Sequence, residues 1–300
     1  MANKGKYYES QFEEATIELL REAHWQYTLG DDIHRKYIDP LIEEDLRNFL
    51  AVQYKDKNLT TSEIDGIVAN LRNTGGQNDY YALRNAFLLY RDGYDFAYSD
   101  SRDNPFRMEY IDFEHPDHNI FRCVNQFVMG QGRENRRPDI LLFINGIPVC
   151  IIELKNPTKQ NATIRDAHTQ ICTRYMRDIP ALLKYCALAV ISDGAKNALG
   201  TTYTPFEFFY EWKKIENEDK AGKGLDTLRT LIRGALSPER ILEILRDYVY
   251  FPDPTKEDDT TEIVCRYPQF FATRKLREHI LNHLRSVGGD GKGGTYFGAT

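Results

Sequence analysis

Residues 136–157 read Arg-Arg-Pro-Asp-Ile-Leu-Leu-Phe-Ile-Asn-Gly-Ile-Pro-Val-Cys-Ile-Ile-Glu-Leu-Lys-Asn-Pro, and the fold is organised around this stretch. Two apolar runs, 140–144 and 147–152, are separated by Asn145-Gly146. Asn-Gly between apolar runs is the strongest short-range signal for a β-hairpin. Because nearly every position of both runs is apolar, we expect central strands that are covered on both faces, as in an α/β fold.

Charged residues stand at the open end of this predicted hairpin. Asp139 opens the first strand, and Glu153 and Lys155 close the second. Side chains two positions apart on a strand point to the same face, so Glu153 and Lys155 share a site. Charges at the end of a buried sheet are costly to desolvate unless they are paired or bind a metal. The stretch therefore predicts a cation site.

The residue types fit phosphodiester hydrolysis. Two carboxylates, Asp139 and Glu153, provide the hard oxygen ligands that Mg²⁺ prefers, and Mn²⁺ is expected to substitute. A metal held there lowers the pKa of a bound water. Lys155 is expected to orient that water or to stabilise charge in the transition state.

The metal-site hypothesis requires one particular register of the two strands. A two-residue Asn145-Gly146 loop alone sets Asp139 opposite Ile152 and turns Glu153 to the other face. A slip of one residue exchanges the two faces of a strand. The metal-site hypothesis therefore predicts an odd-length loop, a bulge or a sharp bend near Pro138.

Composition describes an ordinary globular chain of 300 residues, with 41% apolar and 28% charged residues. The net charge of −6 is unlike that of most nucleic-acid binders, so any basic groove must be local. The five cysteines show no CxxC or Cys/His ligand spacing, which favours free thiols and a cytoplasmic location. No signal peptide and no apolar run long enough for a bilayer is evident, so we expect no membrane partner.

Periodicity predicts the other elements. We expect helices at 7–25, at three places within 39–90, at 163–177, at two places within 225–250 split at Ser237-Pro238, and at 274–284, and strands at 108–113, 119–129 and 186–192. Asp112, near the first of these strands, is a lesser rival to the main acids, and a loop aspartate is the safer interpretation. The helical region 39–90 is expected to cover the sheet or to guide DNA.

Basic residues near the hairpin suggest contacts to DNA phosphates. Arg133, Arg136 and Arg137 lie in a polar loop before the first strand, and Arg174 lies on the helix 163–177, one turn from Gln170. An ordinary solvated loop explains the three loop arginines equally well. His168 on the same helix is given no role.

Two motifs carry a family resemblance. Pro138-Asp139, thirteen intervening residues and Glu153-Leu154-Lys155 resemble the PD-(D/E)xK nuclease superfamily. Nearly the whole chain resembles the N-terminal part of the restriction (motor) subunit of type I restriction-modification enzymes. Its blocks are Glu-Ser-Gln-Phe-Glu-Glu at 9–14, Ile-Pro-Ala-Leu at 179–182, Val-Ile-Ser-Asp-Gly at 190–194, Pro-Phe-Glu-Phe-Phe at 205–209 and Arg-Tyr-Pro-Gln-Phe-Phe at 266–271.

The resemblance implies a restriction-endonuclease-like mixed sheet flanked by helices, with a C-terminal helical segment leading into a truncated helicase-like domain. It implies an endonuclease domain at 1–220, a helical linker at 221–265 and the start of an ATP-dependent translocase at 266–300. Asp139, Glu153 and Lys155 take the catalytic roles. A glutamate of the first helix, Glu9 in preference to Glu13, is a possible addition to the metal site.

Two departures from the family pattern stand out. The family often carries Gln-x-x-x-Tyr after the lysine, whereas Gln170 and Tyr175 are five residues apart, about 140° around an α-helix. Both residues therefore remain candidates. The sequence Phe-Gly-Ala-Thr at 297–300 resembles the start of a phosphate-binding loop without its Gly-Lys-Ser/Thr. We therefore expect a fragment that does not itself hydrolyse ATP, with Gln269 as a weak candidate for adenine contact in the parent.

The implied function is that of a type I site-specific deoxyribonuclease. It acts on unmodified double-stranded DNA together with methylation and specificity subunits, and the parent also translocates DNA. One alternative is a docking or DNA-binding module that keeps the nuclease fold without turnover. Another is a stand-alone repair nuclease, which the incomplete phosphate loop argues against.

Overall fold

The structure is a computed structural model that describes residues 2–100, 103–130, 135–155, 163–216, 222, 224–252 and 260–294, with side chains from residue 10 onward. Its strands are β1 (Gln26–Leu29), β2 (Tyr94–Phe96), β3 (Phe106–Met108), β4 (Phe121–Asn125), β5 (Ile140–Ile144), β6 (Ile147–Leu154), β7 (Leu188–Ser192), β8 (Asn197–Gly200), β9 (Val249–Tyr250) and β10 (Ile263–Val264). Its helices are α1 (Ala2–Glu22), α2 (Glu43–Gln53), α3 (Thr61–Asn73), α4 (Asp79–Asp92), α5 (Ile164–Thr169), α6 (Met176–Asp178), α7 (Pro180–Leu183), α8 (Leu225–Leu231), α9 (Pro238–Asp247) and α10 (Tyr267–Asn282).

A six-stranded mixed sheet forms the centre, in the order β1-β4-β5-β6-β7-β8. The pairs β4–β5, β5–β6 and β7–β8 are antiparallel, whereas β1 pairs in parallel with β4 and β6 pairs in parallel with β7. Parallel neighbours need a long crossover, and α5, α6 and α7 supply it between β6 and β7. The predicted α/β class with a mixed sheet and flanking helices is confirmed.

The β5–β6 hairpin contains the predicted irregularity. Asn145 and Gly146 both have positive φ (50° and 77°), as the tight turn of a twisted hairpin requires. Ile144 pairs with Ile147, but the register shifts between Phe143 and Leu142, so that Ile140 pairs with Ile152. This bulge brings the residue before Ile140 level with the residue after Ile152. The prediction of a bulge is confirmed.

Both faces of β5 and β6 are buried, as expected. Alternation sends Leu141, Phe143 and Ile151 to the face that packs on the crossover through Ile171 and Leu182. The opposite face belongs to a larger core, to which residues of α1, α2, α3, α4, α8 and α9 contribute. Among the described helices, none combines the length and the apolar character needed to cross a bilayer.

Most sequence-based elements are confirmed, with one clear error. The helices within 39–90 are α2, α3 and α4, and the helices of 225–250 separate at Ser237. The strand predicted at 108–113 is wrong beyond Met108. Asp112 and Asn119 bond to the local backbone instead and fold this segment into a loop. The five cysteines are free thiols, as predicted.

We predict that Gly146→Ala destabilises the chain by roughly 2 kcal/mol or more, because a Cβ would overlap the carbonyl oxygen of Ile42 and φ is positive. Urea unfolding at equilibrium measures the change. Gly66→Ala on the exposed side of α3 is the matched control, since nothing lies near its Cβ. Ala is the better helix former, so this variant should gain about 0.5–1 kcal/mol. Equal effects of the two substitutions would contradict the turn geometry.

Candidate active site

The open end of the β5–β6 hairpin gathers the predicted acidic residues. The bulge brings Asp139 level with Glu153, and alternation sends both to the face covered by the crossover. The backbone N–H of Leu154 donates to Asp139 Oδ2 at 2.7 Å. This bond holds the half-buried Asp139 carboxylate against the end of β6.

Glu153 is the most constrained of these groups, with 1% of its surface exposed. Its Oε1 accepts a hydrogen bond from Lys155 Nζ at 2.8 Å, whereas Oε2 is buried with no hydrogen-bond partner among the described residues. Burial, followed by the nearby charge of Asp139, raises the pKa of Glu153 to about 8, although Lys155 acts in the opposite direction. Without a metal, the site therefore favours a protonated Glu153 at neutral pH.

Lys155 connects the sheet to the crossover. Its backbone N–H donates to the carbonyl of Ser192 at the end of β7, 2.7 Å away. Its Nζ also donates to Gln170 Oε1 at 2.7 Å. The ammonium is thus held between Glu153 and Gln170 with a fixed direction.

A π-helical segment, Gln170–Tyr175, lies between α5 and α6. The wider π turn forms hydrogen bonds from residue i to i+5 and brings such residues to one side. Gln170 Nε2 accordingly donates to the Tyr175 hydroxyl at 2.6 Å. The expected separation of about 140° between these two residues is therefore wrong, because it assumed α-helical geometry. The structure brings Gln170 to Lys155 and Tyr175 to Gln170.

The Tyr175 hydroxyl completes a chain of contacts back to the hairpin. It donates to the carbonyl oxygen of Arg137 at 3.4 Å, two residues before Asp139. Burial raises the pKa of Tyr175 well above its ordinary value, so the hydroxyl keeps its proton. The polar side chains therefore form a connected network.

The predicted arginines differ in their surroundings. Arg136 Nε donates to Asp178 Oδ2 at 2.7 Å, so its charge is partly committed within the protein. Arg137 and Arg174 are exposed, and Arg133 lies outside the described residues. Asp178 was missed by sequence reasoning, because no local spacing links it to Arg136.

The remaining candidates are more scattered. The Glu9 side chain lies outside the described part of the chain, whereas Glu13 Oε1 accepts from Asn125 and Gln126 at 2.8 and 3.0 Å. Asn125 pairs with Ile140, so Glu13 lies toward the same end of the central strands as Asp139. Gln269 is exposed and accepts from the backbone N–H of Arg266 at the start of α10.

Two carboxylates, an ammonium and an amide at the carboxyl end of a sheet strand form the kind of polar site at which α/β proteins bind ligands. The particular family is given by comparison with known proteins. A family model described as "Type I restriction enzyme R protein N terminus" matches residues 6–208, and the chain belongs to this family.

Similar proteins extend the match. The type I restriction enzyme HindI endonuclease subunit of Haemophilus influenzae is 28% identical over 285 residues, covering 91% of this chain and 27% of the relative. The putative MjaIXP endonuclease subunit of Methanocaldococcus jannaschii is 28% identical over 305 residues, with 91% and 28% covered. The EcoprrI endonuclease subunit of Escherichia coli is 27% identical over 202 residues, with 64% and 59% covered. The chain spans about a quarter of the length of the first two relatives.

The pKa of Glu153 gives a prediction about stability. Its folded pKa of about 8 lies above the ordinary 4.5, so the unfolded chain releases a proton that the folded chain keeps. Stability of the metal-free chain should therefore fall as pH rises from about 4.5 to about 8. Glu153→Gln removes this fall, and relative to wild type it should gain on the order of 1–3 kcal/mol between about pH 5 and about pH 9.

Chemical denaturation across this pH range measures the effect. Asp56→Asn is the control, since this exposed acid lies in the turn after α2. Parallel pH profiles for wild type and Glu153→Gln would show that Glu153 ionises as freely in the folded chain as in the unfolded one.

Proposed function

We propose that this chain is the Mg²⁺-dependent endonuclease part of a type I restriction enzyme R subunit, with a PD-(D/E)xK nuclease core. Its substrate is unmodified, foreign double-stranded DNA, in which it hydrolyses phosphodiester bonds. The observation that carries the proposal is the buried, unpartnered Oε2 of Glu153 beside a second carboxylate and a fixed ammonium.

The donor set fits a hard divalent cation. Asp139 and Glu153 supply carboxylate oxygens, and an orphaned buried oxygen is costly unless something binds to it. These two residues would hold the ion, and Mn²⁺ would substitute for Mg²⁺. The bound ion supplies Lewis acidity and lowers the pKa of a coordinated water. Glu13, toward the same end of the central strands, or Glu9 would extend the ligand set.

Lys155 is the side chain proposed to act directly on the attacking water or on the phosphate. Its ammonium is aimed by two acceptors, Glu153 Oε1 and Gln170 Oε1, rather than left free to rotate in solvent. A fixed cation beside the metal-binding carboxylates orients the attacking water or stabilises the negative charge that develops on the phosphate. Gln170 positions Lys155, and Tyr175 positions Gln170.

DNA contact falls to the exposed arginines around this site. Arg137 and Arg174 are exposed, and Arg133 and Arg136 belong to the same basic stretch. Guanidinium groups bind phosphates in a bidentate manner and position the backbone without reading its sequence. Such a local patch reconciles DNA binding with the net charge of −6.

The proposed parent is larger than this chain. It joins an endonuclease domain at 1–220 to a helical linker at 221–265 and to an ATP-dependent DNA translocase that begins at 266–300, where Gln269 would contact adenine. Methylation and specificity subunits are its proposed partners. The match to endonuclease subunits several times longer supports this view.

One observation favours a second candidate, a docking module without turnover. Glu153 carries a proton at neutral pH and bonds to Lys155 in the metal-free site, so a weakly bound cation would not displace that pairing. Such a module would bind DNA with strong salt dependence but would neither bind Mg²⁺ nor cut.

Substitution of the three central residues tests the proposal. Asp139→Asn, Glu153→Gln and Lys155→Ala should each lower DNA cleavage by the assembled enzyme at least about 100-fold, while ATP-driven translocation is unchanged. The control Asp56→Asn should cleave normally. Wild-type cleavage by any of the three would refute the assignment.

Calorimetry on the 300-residue chain separates the two candidates. Mg²⁺ must displace the proton of Glu153, so titration near pH 7 in buffers of different ionisation enthalpy should report release of about one proton. Glu153→Gln should abolish both the heat and the proton release. A wild-type chain that gives no Mg²⁺ heat but binds DNA would favour the docking module.

The π turn gives an independent prediction. Deleting the exposed Thr173 shortens the spacing of Gln170 and Tyr175 to four residues, which an α-helix also places on one side. Cleavage should stay within about tenfold of wild type. Inserting one alanine after Thr173 should instead separate the pair and cost about as much as Gln170→Ala. The reverse order of effects would contradict the positioning role of the π turn.

A further inference from the structure

A second cluster of ligand-type side chains lies in the loop between β3 and β4, outside the site described above. Asp112 is buried, and the imidazoles of His115 and His118 lie over it. Asp112 Oδ2 is 3.3 Å from His115 Nδ1 and 3.0 Å from His118 Nδ1. All three ligand atoms lie within 4.8 Å of one another. Two imidazole nitrogens thus converge on a single carboxylate oxygen.

The Asp112 carboxylate is held in place by several donors. Its Oδ1 accepts from the backbone N–H groups of Glu114 and His115, and its Oδ2 accepts from Gln53 Nε2 at 3.0 Å. Metal-binding carboxylates are typically oriented by such outer hydrogen bonds.

The two carboxylate–imidazole distances are near those of a tetrahedral metal site, and the two imidazole nitrogens lie within 4.8 Å of each other. Ligand atoms about 2.0–2.1 Å from a tetrahedral Zn²⁺ stand roughly 3.3–3.4 Å apart. The two Asp112–imidazole distances are close to that value. Imidazole nitrogens favour zinc, copper, nickel or iron, whereas Mg²⁺ and Ca²⁺ prefer an all-oxygen set.

We propose that Asp112, His115 and His118 form a binding site for a divalent transition metal, Zn²⁺ being the probe of choice. The site is distinct from the Mg²⁺ site proposed at the other end of the hairpin. The three side chains leave a fourth position for water.

The position of the cluster indicates a bracing role. Asn119 Oδ1 accepts from the backbone N–H of Asp112 and from Asn145 Nδ2, at 2.9 and 2.8 Å. Asn145 Oδ1 in turn accepts from the backbone N–H of Ile120 at 2.7 Å. A metal that fixes Asp112 to the two histidines therefore tightens the loop that supports the β5–β6 turn.

The sequence carries a signal for this cluster that sequence reasoning missed. Asp112, His115 and His118 are spaced three residues apart, Asp-x-x-His-x-x-His. Asp112 stands out in the sequence only as a loop aspartate, without its link to the two histidines. The Pro116–His118 turn is what curls this spacing round a single carboxylate.

Zinc titration of the 300-residue chain tests the proposal. Calorimetry measures the binding, and thermal unfolding measures the change in stability. One equivalent of Zn²⁺ should bind to the loop, and at about a hundredfold excess over Kd the melting temperature should rise by about 5 °C. The double variant His115→Gln/His118→Gln should lose this equivalent and the thermal shift. Gln53→Ala should weaken binding about tenfold, as expected for an outer hydrogen-bond donor.

Control variants at two other candidate metal-binding places are measured in the same way. His279 and His283 on α10 have ring centroids 4.0 Å apart and form a competing surface pair. The variant His279→Gln/His283→Gln should keep the thermal shift, and so should Glu153→Gln, which removes the proposed Mg²⁺ site. Mg²⁺ should not compete with Zn²⁺ for the loop.

Hydrogen exchange gives a readout that does not depend on overall stability. Zn²⁺ should slow exchange of the N–H groups of Asp112 and Ile120, and this protection should vanish in His115→Gln/His118→Gln. The proposal is overturned if wild type shows no saturable zinc binding. It is also overturned if the shift survives His115→Gln/His118→Gln or disappears with His279→Gln/His283→Gln.

Discussion

The structure depends on one extra residue in β6. The bulge lets both Val149 and Cys150 pack in the larger core, and it restores alternation so that Ile151 and Glu153 face the crossover. Without it, Glu153 and Lys155 would both turn toward the larger apolar core, on the face away from Asp139. Two charged groups buried there would cost several kcal/mol to desolvate. Apolar packing and the polar site thus demand the same register, and neither the hairpin nor the site is stable in another.

The polar residues at the open end support one another in a ring. Contacts run from Glu153 through Lys155, Gln170 and Tyr175 to the Arg137 carbonyl, and the chain then returns to Asp139, which accepts from Leu154 beside Glu153. Among the buried side-chain atoms of the described residues in this ring, Glu153 Oε2 lacks a hydrogen-bond partner. Buried polar networks are costly when any member lacks a partner. A buried carboxylate oxygen without a hydrogen-bond partner, next to such a network, has the character of a binding site rather than of a structural group.

The parts of the fold that could be predicted from the sequence follow from a local residue pattern or from the need to place two carboxylates at one site. The hairpin followed from apolar runs and Asn145-Gly146, and the bulge followed because two carboxylates had to share a face. The π turn was not predictable, because α and π turns differ by one hydrogen-bond position and no residue type specifies the wider one. The segment 108–113 reads as a strand from its apolar residues, but bonds from Asp112 and Asn119 to the local backbone fold it into a loop beyond Met108. The Arg136–Asp178 pair was missed because no local spacing links the two residues.

The two ends of the β5–β6 hairpin differ in how well their buried polar groups are satisfied. At the turn, Asn145 is fully buried, with its amide bonded to Asn119 and to the Tyr110 carbonyl, and Gly146 accepts from the N–H of Ile42. That end is satisfied and closely packed. At the open end, a buried acid disfavours folding at neutral pH. Proteins depart from local consistency at functional sites, and the rest of the fold must compensate. Because β5 and β6 are buried along their whole length, the turn and the open end share one fixed strand register. That register places Glu153 where water cannot stabilise its charge.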